Sequence, residues 1–430
     1  MLKTKPLTRV KEKNHYFLLL PYCFLVKGAK RGAIYNTKTG DVYSIDEIGT
    51  YFLDLLEKRN TISYAIKQTI KEKKTTGNKL VRFLLKLQNS ELGYFSNNTT
   101  IQKIALNKMP DALNFLWVEL TSKCNLRCIH CYANSDNTQN DILPINVIIK
   151  ALKDARLLGC KKIQFTGGEI FTIGKSRIFA IIDAAKEIGF SSIELYTNCT
   201  IMDEEIITFL QKNKDRISIA TSVYGPDSET HNTITQTANS FERTINNLRK
   251  LLVEGMRLRV GVIKMKQNEE KIGKTVKMLK DLGIRKSQIK IDTVRPSGRG
   301  LNRNLYASTD THNHKFPLCK YPVFQKRHYF HNCFGDKLCI TVSANVIPCI
   351  MARNIILGNL LEQSLNDIFY SPKAKEIRYL TKDKIEICKD CEYRYACFDC
   401  RIKTKSPLTW NSLYEKPVCS YNPYKGIWEK

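Results

Sequence analysis

The stretch Thr121-Ser-Lys-Cys124-Asn-Leu-Arg-Cys128-Ile-His-Cys131-Tyr132 constrains this chain more than any other. It sets three thiols at x3 and x2 spacings, directly after the apolar run Phe115–Leu120 that reads as a strand. Thiolates are the usual ligands of iron–sulfur clusters, and a cube-shaped cluster normally takes four of them. Three in one short loop leave one iron without a protein ligand. An open coordination site on a metal centre is where substrate or cofactor chemistry takes place. A zinc loop is the alternative, although zinc loops bring their cysteines in pairs, with a second pair or histidines further on.

From Ala112 the chain alternates strand and helix. Phe115–Leu120, Lys162–Thr166, Ile193–Thr197, Ile217–Val223, Leu258–Ile263 and Ile289–Val294 read as strands. Ile145–Leu158 reads as a helix, with Ile145, Ile148, Ile149, Leu152 and Ala155 on one side, and Phe241–Val253 reads as another. Six such units predict an α/β fold, with a parallel sheet and right-handed crossovers. The expected form is a partial (β/α)6 TIM-like barrel over about residues 108–300. Catalytic groups of barrels gather at the C-terminal ends of strands. The cysteine loop, Gly167-Gly168-Glu169, Thr197-Asn198, Ser222 and Arg295 all fall at such ends.

The loop resembles the signature of the radical S-adenosylmethionine (SAM) enzymes, Cys-x3-Cys-x2-Cys with an aromatic residue beside the last cysteine, here Cys124, Cys128, Cys131 and Tyr132. The resemblance implies that these three cysteines hold a 4Fe–4S cluster whose fourth iron is chelated by SAM. Reduction of that cluster yields a 5′-deoxyadenosyl radical, which takes a hydrogen atom from substrate. It also implies contacts from Gly167, Gly168 and Glu169 to the amino group of SAM, and from Thr197, Asn198 and Ser222 to its ribose or carboxylate. Arg295 is expected on a carboxylate of SAM or of substrate. The family often has proline after the Gly-Gly-Glu motif, where this chain has Ile170.

Residues 316–430 hold nine of the fifteen cysteines. Cys333, Cys339 and Cys349 precede Cys388-x2-Cys391-x5-Cys397-x2-Cys400, and Cys419 follows. This resembles the SPASM extension of peptide-modifying radical SAM enzymes, which holds two auxiliary 4Fe–4S clusters. Carried over by position, Cys333, Cys339, Cys349 and Cys400 hold the first, and Cys388, Cys391, Cys397 and Cys419 the second. Two departures, Ala344 in place of glycine and x2 in place of x3 before Cys400, loosen the assignment of Cys400 and leave Cys319 as an alternative ligand. Cys23, Cys160 and Cys199 read as small buried apolar residues.

Residues 1–100 read as a separate domain. Tyr22–Val26, Ala33–Asn36 and Asp41–Ser44 are expected strands, followed by helices over Ile45–Glu57, Thr61–Lys74 and Asn78–Asn89. The order resembles the winged-helix-like PqqD recognition element, in which the leader of a ribosomally made precursor peptide adds as a strand to a sheet edge. Asn97–Asp111, with Pro110, reads as a linker. The apolar stretch Tyr16–Val26, preceded by lysines, looks superficially like a signal peptide. Pro21 interrupts it, no small-residue cleavage site follows, and it is too short to span a bilayer. It reads as buried β structure, and the protein as cytoplasmic with no membrane span.

The chain carries 69 basic and 41 acidic residues, a formal net charge of +28. The lysines are scattered, with no run of five or six like charges to mark a basic tail. The charge therefore reads as solvated surface, with no nucleic-acid partner. The first 108 residues hold 20 basic and 8 acidic residues, a balance that suits an acidic peptide.

The family resemblance implies an oxidoreductase that matures a precursor peptide by hydrogen abstraction, installing thioether or related cross-links. It implies an electron donor such as flavodoxin or ferredoxin. A sulfatase maturase making formylglycine is the alternative, but those enzymes carry an aspartate after the third SPASM cysteine, where this chain has Ile350. A peptide epimerase or carbon–carbon cyclase shares the same class, and a basic zinc protein that binds nucleic acid lies outside it. No catalytic base is identified by the sequence.

Overall fold

The computed structural model describes residues 15–100, 103–308, 316–398, 400–402 and 408–429. The lysines ahead of Tyr16 and residues 309–315, which precede the C-terminal domain, lie outside that set.

The apolar N-terminal stretch forms two strands, Tyr16–Leu19 (β1) and Cys23–Lys27 (β2), with Pro21 in the turn between them. Gly32–Asn36 (β3) and Val42–Ile45 (β4) complete an antiparallel sheet in the order β2-β3-β4. Three helices follow, Glu47–Glu57 (α1), Ile62–Glu72 (α2) and Gly77–Asn89 (α3). The first starts two residues later than its apolar pattern suggests. Ile45 still belongs to β4, and Asp46 caps the helix by accepting from the Gly49 amide at 2.7 Å. Phe52, Leu53, Leu80 and Leu84 pack the helices against the strands. One strand was not anticipated: Gly93–Ser96 (β5) pairs with β1. The linker is tied to the C-terminal part of the chain by the Tyr321 hydroxyl, which donates to the Ala105 carbonyl at 2.7 Å.

All six expected barrel strands form. Phe115–Glu119 (β6), Lys162–Thr166 (β7), Ser192–Tyr196 (β8), Ile217–Ser222 (β9), Leu258–Lys264 (β10) and Ile289–Thr293 (β11) pair in parallel, in chain order. Helices Ile145–Leu157 (α4), Lys175–Glu187 (α5), Glu204–Lys212 (α6), Ser228–Thr235 (α7), Ser240–Val253 (α8) and Ile272–Asp281 (α9) alternate with them. Ile148 and Leu152 of α4 and Ile178, Ile181 and Ile182 of α5 are at most 1 % exposed. Each such side chain contributes roughly 1.5–3 kcal/mol of burial. Arg259 donates to both carboxylate oxygens of Glu194, at 2.9 and 2.7 Å, and lines the barrel cavity.

The C-terminal domain is continuous with the barrel sheet. After helix Tyr321–Tyr329 (α10), strand Lys337–Ile340 (β12) pairs in parallel with β6, and Asn345–Ile347 (β13) and Gly358–Asn359 (β14) extend the sheet antiparallel. Nine strands result. An ion pair fastens the joint. Glu119, at the last position of β6 and 2 % exposed, accepts from Arg353 at 2.6 and 3.1 Å. Helices Leu365–Tyr370 (α11) and Pro372–Arg378 (α12) then lead to the second group of cysteines. Among the described residues, no helix is long and apolar enough to cross a membrane.

Candidate active site

The cysteine loop leaves β6 and crosses the mouth of the barrel. Neighbouring segments hold its backbone. The amides of Arg127 and Ile129 donate to the carbonyls of Thr235 and Ile234, at the end of α7. The Arg299 amide donates to the Cys131 carbonyl at 2.9 Å, while its guanidinium donates to the carbonyls of Cys128 (2.8 Å) and Ser135 (2.7 Å). Beside Arg299, Gly298 has φ +55°, and a Cβ there would stand 2.4 Å from the carbonyl oxygens of Cys131 and Tyr132. The Arg295-Pro-Ser-Gly-Arg299 turn thus acts on the loop mainly through Arg299, which the sequence reading had not singled out. Arg295 itself lines the cavity and pairs with Asp292, at 2.6 and 2.8 Å.

Gly167 and Gly168 lie against the base of the same loop. The Gly168 amide donates to the Thr121 carbonyl at 2.7 Å, and the Glu169 amide to the Lys123 carbonyl at 2.8 Å. Both glycines line the cavity. The Glu169 carboxylate has other partners. It is fully buried and accepts from the Thr197 hydroxyl (2.8 Å), the Asn198 amide (2.7 Å) and the Phe171 amide (3.2 Å). It joins the ends of β7 and β8 instead of facing the space above them. Asn198 continues the chain by donating to the Asn125 side chain at 2.8 Å, and its amide nitrogen lies 3.9 Å from the Cys124 sulfur.

Burial raises Glu169 from its ordinary 4.5 to about 7, against the opposing pull of its three hydrogen bonds. A carboxyl raised on folding contributes stability that is fully present below the unfolded value and lost as pH rises through the folded one. Glu169→Gln is therefore expected to flatten the fall in stability between pH 4.5 and 7. Urea unfolding of both proteins across that range checks this, and equal pH slopes would refute it.

Together these elements enclose a cavity of about 420 Å³, within the range of small-molecule sites. Cys124, Cys128 and Cys131 line it, as do Tyr132, Thr197, Asn198 and Ser222. The Ser222 hydroxyl is paired with that of Tyr196 at 2.6 Å. Arg353 lies 5.9 Å from the centre of the Tyr132 ring. Ile350 and Met351, next to Cys349, form the wall on the C-terminal side. Among the described residues, the buried His130 Nδ1, Tyr132 Oη and Ser135 Oγ on the lining have no hydrogen-bond partner. His130 was missed because the aromatic position was sought after the last cysteine. Its place between Cys128 and Cys131 was the available signal.

The other cysteines fall into two groups. Cys333 hydrogen-bonds to Cys349 and holds its thiol below the ordinary value, while Cys339 and Cys400 stand near enough to push it up. In the second group, burial raises Cys391, and Cys388 and Cys397 add to the rise. Cys419 precedes Tyr421, whose amide donates to the Cys419 sulfur at 3.4 Å. Cys319 is 1 % exposed, with its thiol donating to the Tyr395 carbonyl at 3.2 Å. Cys23, Cys160 and Cys199 are fully buried. None of the fifteen cysteines is in a disulfide.

Among the described residues, no three His, Cys, Asp or Glu side chains converge tightly enough for a single metal ion. A cube takes each thiolate at a separate iron, so a wider-set triplet suits it. The donor set, the adjoining cavity and its unpartnered polar atoms fit a cluster with one open iron and a small polar cofactor beside it.

An open parallel barrel with three thiols at its mouth, continued at its first edge by a cysteine-rich domain, defines a radical SAM enzyme with an iron–sulfur extension. Residues 118–286 match the radical SAM superfamily and residues 333–392 the SPASM iron-sulfur cluster-binding domain. Residues 118–286 are thus a radical SAM domain and residues 333–392 an iron–sulfur cluster-binding domain, and the cofactors these domains take are SAM and 4Fe–4S clusters. The chain is 26 % identical over 367 residues to the antilisterial bacteriocin subtilosin biosynthesis protein AlbA of Bacillus subtilis (strain 168), covering 80 % of this chain and 78 % of that one. It is also 26 % identical over 357 residues to the AdoMet-dependent heme synthase of Methanosarcina barkeri (strain Fusaro / DSM 804), covering 74 % and 99 %. In fold it is similar to Streptococcus suis SuiB bound to S-adenosylmethionine, with a TM-score of 0.56 at 17 % identity, over 93 % of this chain and 99 % of that one. The same holds for anSMEcpe with bound AdoMet and Cp18Cys peptide, with a TM-score of 0.53 at 18 % identity, over 73 % and 94 %.

Proposed function

We propose that this enzyme matures a ribosomally made precursor peptide, abstracting hydrogen from it and closing a thioether or related cross-link. The observation that carries this reading is the combination, in one chain, of the barrel site, two further cysteine groups and an N-terminal sheet with a free edge. AlbA is named for the biosynthesis of a bacteriocin, and SuiB has been solved with its precursor peptide SuiA. The SuiB likeness spans 93 % of this chain. We read residues 1–100 as the recognition domain, 108–300 as the radical SAM core and 316–430 as the SPASM domain. The leader would add along β4, where Tyr43 and Ser44 are exposed.

In this reading Cys124, Cys128 and Cys131 hold the SAM-binding cluster, whose chemistry is the reductive cleavage of SAM to a hydrogen-abstracting radical. Arg299 and the Gly167–Gly168 backbone fix the loop that carries those thiols. Tyr132, His130, Ser222 and Arg295 line the space for SAM and the reacting part of the peptide, and exclude water from it. Cys333, Cys339, Cys349 and Cys400 hold one auxiliary cluster behind the wall formed by Ile350. Cys388, Cys391, Cys397 and Cys419 hold the other. Either would supply an acceptor for the electron released on ring closure, and SAM cleavage would draw its electron from an external donor such as flavodoxin or ferredoxin.

Ile350 also weighs against formylglycine formation, because the residue after Cys349 lines the cavity and is apolar. It offers no base. The test is to incubate anaerobically reconstituted enzyme with reductant, SAM and the short peptide encoded beside its gene. The peptide is expected to lose two hydrogens in mass per cross-link. An unchanged peptide in a reaction that still forms 5′-deoxyadenosine would overturn the reading.

A further inference from the structure

The N-terminal sheet does more than present a free edge. Its other side grips the loop that carries the second cysteine group. At the tip of the β2–β3 hairpin, the Ala29 amide donates to the Asp390 carbonyl at 2.8 Å. Gly28 lies so close that a Cβ would stand 2.8 Å from the Glu392 nitrogen. One guanidinium nitrogen of Arg394 reaches both the Lys27 carbonyl, at 2.8 Å, and the Cys391 carbonyl, at 3.0 Å. Tyr35, on the central strand β3, is fully buried. Its hydroxyl donates to the Glu392 carbonyl at 2.8 Å and accepts from the Ala396 amide at 3.2 Å. These contacts fall at residues 390, 392, 394 and 396, between and beside Cys388, Cys391 and Cys397. A ring contact at 5.0 Å between Tyr35 and Phe324 of α10 seats the strand from behind.

We propose that the N-terminal sheet is a structural part of the second auxiliary cluster's pocket, with Tyr35 and Arg394 as positioning residues that set the backbone around Cys391. Backbone groups beside the sulfurs of an iron–sulfur cluster tune its potential through hydrogen bonding and solvent access. A strand that fixes those groups therefore acts on the cluster without touching it. The domain assigned to peptide recognition thus has a second role that does not depend on peptide.

The test uses full-length reconstituted enzyme. Tyr35→Phe removes only the hydroxyl, and Arg394→Lys removes the fork between Lys27 and Cys391. Cys391→Ala identifies which EPR signal belongs to the second cluster. Both positioning variants are expected to shift the midpoint potential and EPR line shape of that signal, or to lose it with one cluster's iron. The SAM-responsive signal should stay as in the native enzyme. Tyr64→Phe, on the exposed face of α2, should leave every signal in place. If Tyr35→Phe yields no soluble protein, Arg394→Lys carries the test alone. Native potentials and line shapes in the positioning variants would overturn the proposal, even if their unfolding midpoints fell. The readout is independent of peptide mass, so its failure is distinct from failure of the maturase reading.

Discussion

Replacing Cys124, Cys128 and Cys131 together by alanine is expected to abolish 5′-deoxyadenosine formation from SAM and leave the chain folded. The loop's shape does not depend on its thiols. It is set by backbone bonds to Arg299, Ile234, Thr235 and Asp136, all of which survive the substitution. The Cys124 sulfur accepts only from the Leu126 amide at 3.4 Å and, distantly, from Asn198. Its loss costs about 1 kcal/mol, the usual scale for a single substitution. The activity loss is of another order. Enzymes accelerate their reactions by roughly a million-fold or more, and in the proposed reading that acceleration requires the cluster site. Chromatography of 5′-deoxyadenosine under reducing, anaerobic conditions measures it. A triple variant that still cleaved SAM would remove the foundation of the functional reading.

Gly168→Ala should destroy the site from the other side. A Cβ at this position would stand 2.0 Å from the Lys123 oxygen and 2.5 Å from its carbon, both backbone atoms. No rotamer relieves such a clash. Either the Gly168–Glu169 segment or the base of the cysteine loop has to move, and the bonds from Gly168 and Glu169 to Thr121 and Lys123 go with it. The cost is about 3 kcal/mol or more, above the common range for overpacking because the obstacle is main chain. The expected result is a lower unfolding midpoint together with loss of reconstituted iron. Gly174→Ala is the internal control. That glycine has φ +91° with nothing within 4 Å of the added methyl. With ψ at 135° as well, it should cost roughly 1–3 kcal/mol for a backbone conformation that is essentially glycine's alone, and keep its iron. Equal effects at the two positions would show that steric approach to the loop is not what Gly168 provides.

The barrel was legible because buried parallel strands are written as short apolar runs between amphipathic helices. Ile163, Ile193, Ile219 and Val260 are each at most 1 % exposed. Pairing between distant segments was not legible. Nothing near Gly93–Ser96 announces that it completes a pair with Tyr16–Leu19, since the register is set by the helices that bring the two together. The short helix α7 went unread, yet its last carbonyls hold the cysteine loop. At the site, residue types were readable and directions were not. The motif Gly167-Gly168-Glu169 was readable, but not that the Glu169 carboxylate bonds to Thr197, Asn198 and Phe171. Spacing left Cys400 and Cys319 open as alternatives. Folding sets Cys400 beside Cys349 and gives the Cys319 thiol to the Tyr395 carbonyl.

The order of residues alone determined the class of chemistry, because three thiols at fixed spacing on a strand-end loop are a local property. It also determined the alternation of strand and helix, because burial demands a periodic pattern. Which groups face the cavity, which cysteines stand together and what the N-terminal sheet grips were decided only by the tertiary structure. Those depend on contacts between segments hundreds of residues apart, such as Tyr35 with Glu392 and Glu119 with Arg353, and no local pattern encodes the partner of a side chain that far along the chain.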